Sequence, residues 1–92
     1  MNIIICDDRI DDRKNLSDLL SDYGEKKNYE FAITEYDSGE QLCEEQSALE
    51  ACQILFLDIN MQGMDGLKTA MRIKEKYPKL PVVLVTAYMN YA

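Results

Sequence analysis

Three aspartates and a threonine stand where apolar runs stop. Asp7 and Asp8 follow residues 2–6, Asp58 closes the run Ile54-Leu55-Phe56-Leu57, and Thr86 follows residues 80–85. A carboxylate set against four large apolar residues faces desolvation unless a cation or hydrogen-bond donors compensate. Three carboxylates brought to one place would repel each other strongly. The sequence has no histidine and no obvious cluster of arginines near them. A hard divalent cation is the economical remedy. Magnesium takes oxygen ligands in octahedral geometry and usually keeps waters and phosphate oxygens in its shell. Taken singly the residues say less: Asp8 would serve equally well as a helix cap, and Thr86 is at home in any strand.

Whether these residues meet depends on the elements that carry them. Residues 2–6 are continuously apolar and β-branched, as in a strand buried on both faces. Helical spacing follows, with Ile10, Leu16, Leu19, Leu20 and Tyr23 as one stripe and Gly24 as its stop. Residues 29–36 alternate Tyr29, Phe31 and Ile33 with more polar neighbours, which predicts a strand near a sheet edge. Ser38 stands three residues before Gln41, a capping-box signature for a second helix carrying Leu42, Cys43 and Leu49. Residues 53–58 read as another buried strand. A turn around Gly63–Gly66 leads to a helix through Leu67, Ala70, Met71 and the Lys74 stem to Tyr77, and Pro78 blocks its continuation. Residues 80–85 form a fourth strand.

The order β-α-β-α-β-α-β predicts a parallel sheet with right-handed crossovers and helices on both faces. Ligands of such sheets bind beyond the carboxyl ends of the strands, where the strand order reverses. Asp7, Asp8, Asp58 and Thr86 all fall at those ends, so they are expected on one rim.

Composition narrows the function further. Ninety-two residues suffice for one small domain. Ten basic residues against seventeen acidic ones give a net charge of −7, which argues against nucleic-acid binding by this segment. The basic residues read as solvated faces. No apolar run reaches the ~20 residues of a membrane span, and the N-terminus is no signal peptide, so a cytoplasmic location is expected. Cys6, Cys43 and Cys52 lack metal-ligand spacing and read as free structural thiols.

Two other chemistries can be weighed on the same letters. Asp58-Ile-Asn60-Met-Gln62-Gly63 opens like a calcium-binding EF-hand loop, but Thr69 stands where its bidentate glutamate belongs. Phosphohydrolases that form an aspartyl phosphate also end a strand with a nucleophilic aspartate. They usually place a second aspartate two residues on as general acid, and here Asn60 holds that position. Slow phosphoryl turnover fits better than efficient hydrolysis.

In order and spacing the chain resembles the receiver domain of bacterial two-component response regulators. The resemblance rests on Ile-Ile-Ile-Cys-Asp-Asp at the start, Asp37-Ser38-Gly39-Glu40, Leu57-Asp58-Ile59-Asn60-Met61, Gly63-Met64-Asp65-Gly66, and Leu80-Pro81-Val82-Val83-Leu84-Val85-Thr86-Ala87. The wording of the first and last segments is most similar to regulators with a LytTR-type DNA-binding output domain. The resemblance implies a flavodoxin-like (CheY-like) doubly wound fold. It implies that Asp58 accepts phosphate from a sensor histidine kinase. It further implies Mg2+ held by Asp7, Asp8, Asp58 and the backbone carbonyl of Asn60, Asp7 acting mainly through bound water. Thr86 would be the switch hydroxyl, and small Ala87 would leave the phosphoryl group accessible. The domain would be no enzyme beyond slow self-dephosphorylation. DNA would be reached only through an output domain absent from this segment.

Family receivers continue through a further helix, strand and helix, so residues 1–92 are expected to be a receiver domain incomplete at its C-terminus, about four of five β-α units. The lysine that would contact the phosphoryl group is then missing. Residues 80–85 would form an exposed edge, and Leu16, Leu19 or Leu20 would be uncovered, inviting a homodimer or swapped pairing. The alternative function is a phosphate-independent, receiver-like interaction fragment.

Overall fold

A computed structural model describes residues 1–85. Along them run β1 (Asn2–Cys6), α1 (Ile10–Lys27), β2 (Ala32–Tyr36), α2 (Gly39–Glu44), α3 (Gln46–Ala51), β3 (Ile54–Asp58), α4 (Gly66–Lys76) and β4 (Val82–Val85). All pairings are parallel and the strand order is β2-β1-β3-β4. The chain therefore steps outward from β1 to β2, then crosses back to β3, and the order reverses between β1 and β3. Cys6 is in register with Tyr36 on one side and Leu57 on the other, and Asp58 with Val85.

Burial explains which strands are central. Ile3, Ile4, Ile5 and Cys6 of β1 are all buried, as are Leu55 and Leu57 of β3. Ile4, Cys6, Leu55 and Leu57 face one side and pack with Leu42, Leu49, Met61, Ile73 and Leu80 from α2, α3, α4 and their loops. The period of two leaves Ile3 and Ile5 to the other face, and α1 contacts β1. The flavodoxin-like, doubly wound architecture is thus present. β2 and β4 are the outer strands, as the mixed polarity of β2 predicted.

β3 and β4 begin slightly later than the apolar runs predict, at Ile54 and Val82 rather than 53 and 80, and three other boundaries differ more. Gly24 does not end α1; the helix runs to Lys27 and Asn28 takes the left-handed cap at φ 61°. Gly24 is instead a packing position, since a β-carbon there would lie 3.0 Å from the Phe31 ring and 3.1 Å from the Tyr29 carbonyl. β2 begins at Ala32, not residue 29, because the Tyr29 N–H closes the helix cap on the Gly24 carbonyl. The second helix breaks at Glu45 (φ −89°, ψ 67°) into two short helices, each burying one leucine, Leu42 and Leu49. Ser38 caps α2 as expected, accepting from the Gln41 N–H at 3.1 Å.

The helix stripe of α1 is only partly covered: Ile10, Leu19 and Tyr23 are exposed. All three cysteines are free. No helix among the described residues is long and apolar enough to cross a membrane.

Candidate functional site

Adjacent parallel strands with a matched register end together, so β1 and β3 deliver their last residues to one place. One carboxylate oxygen from each of Asp7, Asp8 and Asp58 lies within 4.8 Å of the other two. Asp7 and Asp58 are buried, at 8% and 5% exposure, and Asp8 is half-buried.

Each is held by a different device. The Asp7 N–H extends the β1–β2 ladder by donating to the Tyr36 carbonyl at 3.0 Å. Its Oδ1 accepts from the Arg9 N–H at 2.9 Å, and its carbonyl accepts from Arg13 Nη1 at 2.8 Å. Asp58 Oδ1 accepts from the Asn60 N–H at 3.1 Å, folding the loop back as it leaves β3. Asp8 Oδ2 accepts from the Gln62 N–H at 3.0 Å, tying the first loop to the third.

That last bond decides between two readings of Asp8. The N-cap residue of α1 is Arg9, with no side-chain capping bond. Asp8 does not cap the helix; it faces the loop after β3. Its Oδ1 is buried and has no hydrogen-bond partner among the described residues. A buried carboxylate oxygen without a donor is costly.

Electrostatics point the same way. Burial pushes the Asp7 carboxyl up to about 6, with the Arg9 N–H opposing and the Asp58 charge adding to the rise. Arg13 is a cation that the sequence reading did not place here. Its Nε pairs with Glu35 Oε1 at 2.9 Å, so its charge is matched by β2 and its bond to the site goes to a backbone carbonyl. It pins the end of β1 without neutralising the carboxylates. Arg13 is six positions on from Asp7, and nothing in that spacing marks it. Glu40 is a second missed residue, its Oε2 accepting from the Met64 N–H at 3.4 Å.

The donor set fits a hard cation. Among the described residues it consists of three carboxylates, one with an unpartnered oxygen. The neighbouring Cys6 does not compete as a thiolate, since burial raises its thiol to about 12. An open groove of about 660 Å³ runs beside the cluster, lined by Asp8, Arg9, Asp37, Ser38, Glu40, Gln62 and Gly63. Asn60 begins the loop that Gln62 and Met64 tie down. Gly66 closes that loop against Asp58: a β-carbon there would overlap the Asp58 carbonyl and come within 2.5 Å of the Ile59 Cα. Thr86 and Ala87 lie outside the described residues.

The chain also matches known proteins in sequence and fold. Residues 3–92 match the family described as the response regulator receiver domain. The response regulator protein FleR of Pseudomonas aeruginosa is 38% identical over 79 residues, covering 86% of this chain and 16% of FleR. The cyclic di-GMP phosphodiesterase response regulator RpfG of Xanthomonas campestris is 31% identical over 93 residues, covering 94% of this chain and 22% of RpfG. This chain therefore spans less than a quarter of either relative. Among solved structures, the response regulator TrrA of Thermotoga maritima, in complex with Mg2+ and BeF, superposes with a TM-score of 0.81 at 28% identity. That match covers 98% of this chain and 72% of TrrA.

Proposed function

Because the chain belongs to the response regulator receiver domain family, we propose that Asp58 is its phosphoacceptor and that Asp7, Asp8, Asp58 and the Asn60 backbone carbonyl hold Mg2+. One observation carries this reading. Three carboxylates from two strand ends each bring an oxygen within 4.8 Å of the others, and one buried Asp8 oxygen has no donor among the described residues. Side chains meant only to start a helix or decorate a surface would not be gathered and left so.

The roles follow from the contacts. Asp58 Oδ1 is engaged by the Asn60 N–H, which leaves Oδ2 as the attacking oxygen. Oδ2 forms the new bond to phosphorus while the bond to the donor breaks, and the leaving group keeps its electron pair. With a histidine kinase as donor the leaving group is an imidazole nitrogen. Asp7 and Asp8 bind and orient: Asp7 is fixed by Arg9 and Arg13, and Asp8 holds the loop at Gln62. Bound magnesium supplies positive charge against the carboxylates and the phosphoryl oxygens. Phosphoryl transfer needs such positioning and charge neutralisation more than covalent machinery. Thr86 follows Val85, the register partner of Asp58, and is proposed as the switch hydroxyl.

In this reading the domain is a signalling phosphoacceptor of the cytoplasm, turning over only by slow self-dephosphorylation. Its signal would pass to an output domain outside this segment. A LytTR-type, DNA-binding output remains the one that the sequence wording favours.

Incubation with acetyl phosphate and Mg2+, followed by intact mass measurement, tests the proposal. The expected result is a gain of one phosphoryl group that Asp58→Asn abolishes. No gain, alongside ordinary Mg2+ affinity, would leave the phosphate-independent interaction fragment as the function.

A further inference from the structure

Half of the ten basic residues fall within residues 66–79, as Lys68, Arg72, Lys74, Lys76 and Lys79, against the single acid Glu75. The remainder holds five basic residues and sixteen acidic ones. A basic helix is thus set into a strongly acidic chain, where the sequence reading saw only scattered solvated charges.

α4 turns Gly66, Thr69 and Ile73 inward. Leu67 and Met71 point outward, at 54% and 66% exposure. Four residues apart, they lie on one face. Lys68 and Arg72, also four apart, run beside them, and neither is in an ion pair among the described residues. Lys74 and Lys76 are engaged locally, Lys74 by the Pro78 and Leu80 carbonyls and Lys76 over the Tyr77 ring. Met64, Lys68, Met71, Arg72 and Glu75 line a groove of about 400 Å³ on this surface.

We propose that the outward face of α4 docks an acidic amphipathic helix of a partner protein, whose apolar side chains sit on Leu67 and Met71 and whose carboxylates meet Lys68 and Arg72. Apolar surface rimmed by charge marks interaction sites, and methionines adapt to what they meet. Anchors spaced by four suit helix-in-groove recognition. The charge pattern selects the partner's size as well as its sign. Eleven residues of α4 span roughly 16 Å, which a short acidic helix can match. A nucleic-acid duplex or an anionic bilayer extends past that length and meets the acidic remainder of the chain. The inference goes beyond the phosphoacceptor reading and holds whether or not Asp58 is phosphorylated.

The test uses the whole chain and a fluorescein-labelled helical peptide of about three turns, with leucines on one face flanked by glutamates. Anisotropy titrations compare it with a scrambled peptide of equal composition, phosphatidylserine vesicles and a duplex oligonucleotide. Saturable binding of the helical peptide is expected, weakened about tenfold by Met71→Glu and by Arg72→Glu, and reduced by added salt. Both positions are exposed, and circular dichroism checks that the variants fold; Lys68→Glu is a third variant of the same sign. Equal binding of the scrambled peptide, or variants that bind as the native chain does, would overturn the proposal. Tighter binding to the vesicles or the duplex would also overturn it.

Discussion

Asp7 is the residue at which the cost of assembling the site is concentrated. Its carboxyl is raised from 3.8 to about 6, first by burial and then by the charge of Asp58. Without metal, the folded state therefore binds more protons than the unfolded state between about pH 4 and 6. Stability from this group is present at low pH and is lost as pH rises through about 6. Asp7→Asn should stabilise the metal-free chain at pH 7 and much less at pH 4, read by urea denaturation at both values. Mg2+ needs the ionised carboxylate, so its affinity should fall by up to about tenfold per pH unit below pH 6. Calorimetry in two buffers of different ionisation enthalpy should show proton release on binding at pH 5.5. Affinity that is flat from pH 5 to 7 would exclude Asp7 from the site.

At the scale of elements, the site depends on how tightly the β3–α4 loop closes. Gly66 begins α4 directly against the carbonyl of Asp58. Asp65 caps the same helix, its Oδ1 accepting from the Lys68 N–H at 2.8 Å. Any side chain at position 66 must push the helix start away from the strand end. Gly66→Ala should cost about 2–3 kcal/mol of stability by overpacking against backbone. It should also weaken Mg2+ binding, because the loop of Asn60 and Gln62 moves with the helix. Thermal melts and Mg2+ titration of the variant check both effects. α2 and α3 are different: each has six residues, and they hold the core through Leu42 and Leu49, with α2 reaching the β3–α4 loop through Glu40.

For the molecule as a whole, apolar surface is unevenly covered. β4 is an outer strand with Val83 and Leu84 exposed at 43% and 44%, and Leu19 on α1 is 66% exposed. An outer strand of that kind offers unpaired backbone groups to another chain. We expect self-association of two copies, visible as a concentration-dependent mass in light scattering coupled to size-exclusion chromatography. Val83→Lys should shift it toward monomer. A monodisperse monomer of the native chain at all concentrations would refute the expectation.

Much of this was already determined by the sequence alone. Continuous apolar runs marked β1 and β3 as strands covered on both faces, but the equally apolar run of β4 lies outermost among the described residues, a position its own letters do not distinguish. The β-α alternation then required parallel pairing and placed Asp7, Asp8 and Asp58 at carboxyl ends. What local patterns could not decide was every contact made between distant segments. Gly24 reads as a helix stop in isolation, yet α1 runs through it to Lys27, and the Phe31 ring packs where a β-carbon would crowd it. Asp8 reads as a cap, yet its oxygen meets Gln62, 54 residues away. Arg13 carries no local signal because its partners, Glu35 and the Asp7 carbonyl, come together only when β2 lies beside β1. Lys68 and Arg72 look like scattered charges along the chain and share a groove with Met64 and Met71 only once α4 has an inside and an outside. Hydrophobic periodicity is a property of neighbours in sequence, whereas charge, hydrogen bonding and exposure at the site are properties of neighbours in space.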